Sequence, residues 1–199
     1  VNYEKESRNN HIYYIHAWTN AWTNCYIRDH AGSTVEVELG DDIVYLCNHF
    51  AELTYLSNLD EYARRGQNNP DKIKLDIAQG KAAEFAAMYY LIEEGHGKVS
   101  IPDTTLHRKK SFDPDLTTSR YNIHVKSQSQ ESYAKYGKSF LFQKKDPLVV
   151  NPKDNDRIVT VLCTGLYIFN VSWLGSPNVI EWQEPRVEKL RSTKVAIYL

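Results

Sequence analysis

The sequence predicts an α/β or α+β domain, and three observations carry that reading. An Ala-rich stretch beginning at Asp76 has strong helical character. Segments of alternating apolar and polar residues recur along the chain. Their order is a β-rich start, two helices, then a series of strands, with 199 residues in all.

The elements follow in chain order. Residues 11–28, HIYYIHAWTNAWTNCYIR, are aromatic and rich in β formers, and the tetrapeptide AWTN occurs twice in tandem. Its period of four puts Trp18 and Trp22 on one side of a helix or of a strand. They read as a core or interface stripe, with base stacking as the functional alternative. STVEVELG alternates Val35, Val37 and Leu39 with Glu36 and Glu38, a strand ending at Gly40. Next, Ile43, Leu46, Cys47, Phe50 and Leu53 recur at helical spacing, with Asp41 or Asp42 as cap. GQNNPDK reads as a loop.

From Asp76 a helix carries Ile77, Phe85, Met88, Leu91 and Ile92 as its buried stripe, and Gly95 ends it. Glu84 lies beside that stripe between Ala83 and Ala87, where small neighbours admit another element. GKVSIP is a short strand. SFDPDL and RYNIHVKSQ pair as a hairpin around TTS. KSFLFQ is a further strand, and DRIVTVLCTGLYIF is one long strand near the sheet centre. PRVEKLRS links to a last strand, TKVAIYL.

Composition bounds the function. Hydrophobic residues make up 42% and charged residues 25%, which fits a soluble globular chain. No run of eighteen apolar residues exists, so no membrane partner is expected. The polar N-terminus reads as no signal peptide, and the three widely spaced cysteines predict a reducing, cytoplasmic setting. Net charge is −1, but residues 29–63 hold eight acids and no Lys or Arg. Residues 107–153 hold ten Lys or Arg against four acids, a local +6 that suits a polyanion on one side.

The strand around residue 124 raises the chemical question. One face reads Arg120, Asn122, His124, Lys126 and Gln128; the other reads Tyr121, Ile123, Val125 and Ser127. The polar face looks at water or builds a site. Phosphodiester hydrolysis needs carboxylates that hold a hard divalent cation. It also uses a lysine that stabilises developing charge. Glu84 on the helix, Asp115 at the hairpin and Lys126 on the next strand supply those types in order. Each has a plainer reading: a solvated helix residue, a turn residue with Asp113 as rival, and an exposed strand lysine. Ser127, Gln128 and Gln130, with Gln143, Lys144 and Lys145, offer donors and acceptors for bases and phosphates, or form polar loops.

FDPDL followed by IHVKS, with GKAAEF before them on a helix, resembles the PD-(D/E)XK, or restriction-endonuclease-like, nuclease superfamily over roughly residues 76–170. The resemblance implies a mixed central β-sheet flanked by helices. It implies a divalent-metal-dependent endodeoxyribonuclease of restriction or homing type, with Mg²⁺ (or Mn²⁺) as cofactor. Double-stranded DNA is the implied substrate and a homodimer the implied state. Phages and mobile elements carry such enzymes. Pro114-Asp115 matches the Pro-Asp element, and His124-Val125-Lys126 stands at the acid-x-Lys element with His in place of the acid. By the same match Glu84, Asp115, His124 and Lys126 are catalytic, and Glu84, Asp115 and the Val125 carbonyl are metal ligands. Lys109, Lys110, Arg120, Asn122, Ser127, Gln128, Gln130, Gln143, Lys144 and Lys145 are the expected DNA contacts. Residues 71–199 form the expected catalytic core, and residues 1–70 an elaboration for recognition or dimerisation. The competing class is a nucleic-acid-binding or assembly protein that keeps this fold without catalysis.

Overall fold

A computed structural model describes residues 34–106, 112–165 and 167–199, with the backbone of four strands before residue 34. Those four are β1 (Tyr3–Arg8), β2 (His11–His16), β3 (Trp22–Thr23) and β4 (Tyr26–Asp29). The first three form one sheet, and β4 joins the main sheet. The expectations for the Trp18 and Trp22 side chains and for Lys109 and Lys110 lie outside the described residues.

β5 (Thr34–Glu38) alternates as its sequence requires, with Val35 and Val37 buried. α1 (Asp41–Ser57) follows at once. Its cap is Gly40, with no side-chain cap bond. The expected cap, Asp41 or Asp42, instead lies in the first turn, where a carboxylate acts on the helix dipole. A short α2 (Leu59–Arg64) precedes α3 (Pro70–Glu93). α3 starts six residues before the expected Asp76, because Asn69 Oδ1 accepts from Lys72 N at 3.1 Å and Pro70 supplies the first turn. From Ala82 to Leu91 every residue but Glu84 is buried. A helix buried on all sides lies inside a fold; here α3 runs between α1 and the main sheet.

The main sheet has six strands in the order β4-β5-β10-β9-β7-β6. Its later members are β6 (Leu116–Thr117), β7 (Asn122–Gln128), β9 (Asp156–Cys163) and β10 (Ile168–Gly175), reached after α4 (Gln130–Tyr136), β8 (Ser139–Gln143) and α5 (Pro147–Val150). β7 runs parallel to β9 and the other pairs are antiparallel, so the sheet is mixed. The run from Asp156 to Phe169 is not one strand. Thr164 N donates to Ile168 O at 2.9 Å, and Tyr167 adopts φ 63°, so the chain reverses and both halves become central strands. GKVSIP forms no strand: Ser100 exchanges two hydrogen bonds with Thr117, and Pro102 then lacks the N–H a ladder needs.

β8 pairs with β11 (Lys194–Tyr198) as a separate two-stranded ribbon. Two hydrophobic clusters fix the layers. α1, α3 and one sheet face bury Cys47, Phe85, Leu91, Ile123, Val161 and Phe169 together. The opposite face, through Ile158, packs on Phe140, Phe142, Leu148 and Ile197 of the ribbon side. The fold is α+β, a mixed central sheet with flanking helices. Val35, Val37, Ile43 and Cys47 belong to the first cluster, so the core extends to the N-terminal side of residue 71.

Candidate functional site

The site begins where β6 stops. Its ladder pairs Leu116 with Ile123 and Thr117 with Asn122. In the same register Asp115 falls opposite His124 and Pro114 opposite Val125; Pro114 has no N–H to offer, and the ladder ends before it. The Asp115 side chain fills the gap: its Oδ2 accepts from Val125 N at 2.7 Å. In a strand the N–H and C=O of one residue point to the same edge. The Val125 carbonyl is therefore directed at the edge that Asp115 occupies.

Glu84 reaches this region from α3. Its side chain is 17% exposed, and Lys81 Nζ lies 2.6 Å from its Oε2. Lys81 also donates to Asp103 O at 2.6 Å and lies over the Phe50 ring. Burial pushes the Glu84 carboxyl up to about 7; Lys81 pulls it down, and the Asp115 and Asp103 charges push it further up. Glu84 and Asp115 thus feel each other across the helix–strand junction.

His124 and Lys126 face the other way. Ile123 and Val125 pack toward α3, which turns His124, Lys126 and Gln128 toward the ribbon. His124 is buried, with Nε2 3.6 Å from Asp156 Oδ1. Burial holds its pKa below 6.5, although Asp115 and Asp156 act to raise it. At neutral pH this is a polar contact of a neutral ring, not an ion pair. Asp156 is also buried, which raises its pKa, but bonds from Lys153 N and Asn122 Nδ2 outweigh that and hold it low. Lys126 Nζ sits over the Phe142 ring, 4.9 Å from its centroid. From Asn122 to Lys126 the polar face of β7 is half-buried or buried and forms a seam under the ribbon; Arg120 before it is exposed, and Gln128 after it borders a groove.

Gln128 shows the cost of that placement. Its Nε2 donates to Gly137 O and Ser139 Oγ, and its Oε1 accepts from Ser139 N, so its amide is spent on the β7–β8 connection. Asn122 is likewise committed to Asp156. Arg120, Ser127, Gln130, Lys144 and Lys145 are exposed, and Gln143 is half-buried.

Three participants escaped the sequence reading. Lys81, three residues before Glu84, was legible from helical spacing alone. Asp156 lies beside His124 only because β9 runs parallel to β7 in this register. Lys194 is half-buried; burial and then the Lys126 charge lower its pKa, so the two lysines share one region. Nothing in TKVAIYL signals that meeting. Among the described residues no group of three or more His, Cys, Asp or Glu side chains is arranged to hold a metal ion. No family model, curated protein or solved structure matches the chain.

Proposed function

We propose that the chain is a divalent-metal-dependent DNA endonuclease with a restriction-endonuclease-like core. One observation carries the reading: the Asp115 carboxylate docks on the edge that β6 vacates, within electrostatic reach of Glu84, the one carboxylate in the buried run of α3. The donor set suits a hard cation, since two carboxylates and the Val125 carbonyl are all oxygens of the kind Mg²⁺ takes. Such a cation, held by Glu84, Asp115 and Val125, supplies a polarised phosphoryl oxygen and a more acidic bound water.

The chain's own residues do the rest. Asp115 fixes its orientation through Val125 N. Lys126 and Lys194 put two positive charges in one region, a field for a phosphodiester. To meet the reacting phosphate, Lys126 leaves Phe142 by rotation of its flexible four-carbon stem. His124 brings no carboxylate; it stays neutral against Asp156 and holds β7 to β9. Cutting both strands of a duplex calls for two sites or two visits by one site, and a homodimer supplies the first.

The test is cleavage of supercoiled plasmid by the purified chain with Mg²⁺ or Mn²⁺ and with chelator. Metal-dependent nicking is expected, with loss in Asp115→Asn and a fall of about a hundredfold or more in Lys126→Ala, while both variants still bind DNA. Equal cleavage by Asp115→Asn rules the site out. A second reading is favoured by Lys81 on Glu84 and Lys126 on Phe142: a nucleic-acid-binding protein that keeps the fold without catalysis. DNA binding with no cleavage under either metal selects it.

A further inference from the structure

A groove opens at the C-terminal end of β7, between α4, the ribbon and residues 185–190, and it encloses about 310 Å³. That volume is at the lower end of the range for small-molecule sites. β7, α4 and β8 with their connections contribute four serines, Ser127, Ser129, Ser132 and Ser139. The 185–190 segment contributes two cations, Arg186 and Lys189, and no lining residue is Asp or Glu.

Arg186 is held in advance. Its guanidinium lies 4.2 Å from the Tyr198 ring centroid, and Nη1 donates to Tyr136 O at 2.8 Å. That is its one side-chain hydrogen bond among the described residues, so the other N–H donors of its fork remain for a ligand. Lys189 makes no hydrogen bond or ion pair among the described residues. Two hydroxyls are poised to donate. Ser129 Oγ accepts from Ser132 N, and Ser139 Oγ accepts from Gln128 Nε2, so the hydrogen of each is unspent. Two unneutralised cations and a set of hydroxyl donors recognise a phosphate. The remaining wall is apolar and aromatic, with Leu141, Val187, Leu190 and Tyr198, which suits the flat, less polar part of the same ligand.

We propose that this groove binds the 5′-phosphorylated nucleoside unit, with its phosphate on Arg186, Lys189 and the serine hydroxyls and its base against the aromatic and apolar wall. The chemistry is shared by a free nucleoside monophosphate and by the 5′-phosphorylated end of a strand. The site is independent of Asp115 and of the nuclease reading.

Calorimetric titration of the full chain tests it, with dTMP, thymidine, inorganic phosphate, and a short oligonucleotide carrying a 5′-phosphate or a 5′-hydroxyl. dTMP should bind, and at least ten times more tightly than thymidine or inorganic phosphate. Lys189→Glu, whose side chain supports no other described residue, should weaken dTMP at least tenfold, as should Arg186→Ala; Asp115→Asn should leave it unchanged. Preference for the 5′-phosphorylated oligonucleotide over its 5′-hydroxyl form identifies a strand end, and binding of dTMP alone identifies a free nucleotide. Absence of dTMP binding at millimolar concentration, equal affinity for thymidine, or full affinity in Lys189→Glu overturns the proposal.

Discussion

At the scale of single residues, Glu84 and His124 titrate in opposite senses. The folded protein binds the Glu84 proton more tightly than the unfolded chain does, because burial raises its pKa from 4.5 to about 7. Stability linked to this group is complete below pH 4.5 and falls as pH rises through 7. The shift corresponds to about 3 kcal/mol. Glu84→Gln mimics the protonated form. Its stability relative to wild type should improve by about that much between pH 4 and pH 8, read from denaturant midpoints. Curves that stay parallel with pH would mean that Glu84 is an ordinary acid. Divalent metal sharpens the test. Saturating Mg²⁺ at pH 8 should raise the wild-type melting temperature, and should do so less in Asp115→Asn. His124 runs the other way. Its pKa is held below 6.5, so its stabilising contribution is present above pH 6.5 and is lost as the unfolded chain takes up a proton in acid.

At the scale of elements, β7 decides what its residues can do. Period-two reading separates Asn122, His124, Lys126 and Gln128 correctly from Ile123 and Val125. It cannot say that residues 139–143 and 194–198 pair into a ribbon over the polar side, since that contact joins segments far apart in sequence. Local pattern therefore recovers β5, α1, the body of α3, β7, β8, β11 and the hairpin that carries Asp115, but not the break between β9 and β10 or the short helices α2, α4 and α5; the buried seam, Asp156 and Lys194 come from tertiary arrangement alone. The start of α3 is hidden for a different reason: Asn69 and Pro70 sit in a polar run whose capping geometry outweighs its loop-like composition. The seam makes a prediction. Gln128→Ala leaves Ser139 N and Gly137 O without that partner, and should destabilise the fold by about 1–3 kcal/mol in chemical unfolding. DNA affinity of the folded fraction should not change. A stable variant with weakened DNA binding would return Gln128 to the interface.

At the scale of the whole molecule, the exposed acids of α1 and the exposed lysines at the end of β8 lie on different layers. Asp41, Asp42 and Glu52 are exposed on α1, on the helical side of the sheet. Lys144 and Lys145 are exposed at the end of β8, and Lys126 and Lys194 meet beside the same ribbon. In the proposed complex, a duplex at the Asp115 edge would gain from the ribbon lysines and be repelled by the α1 acids. Each phosphate neutralised by a lysine releases counterions, so the logarithm of affinity falls with the logarithm of salt by about 0.9 per contact. Replacing Lys144 and Lys145 with Gln should therefore reduce that slope by about two, measured by fluorescence anisotropy over a salt series with chelator present to stop cleavage. Replacing Asp41 and Glu52 by their amides should leave the slope unchanged, because α1 meets no phosphate in this orientation. A slope that is insensitive to the lysines but sensitive to the α1 substitutions would turn the molecule over. The duplex would then lie on the helical face, away from the ribbon, and Lys126 would stand on the wrong side of the sheet to serve the Asp115 site.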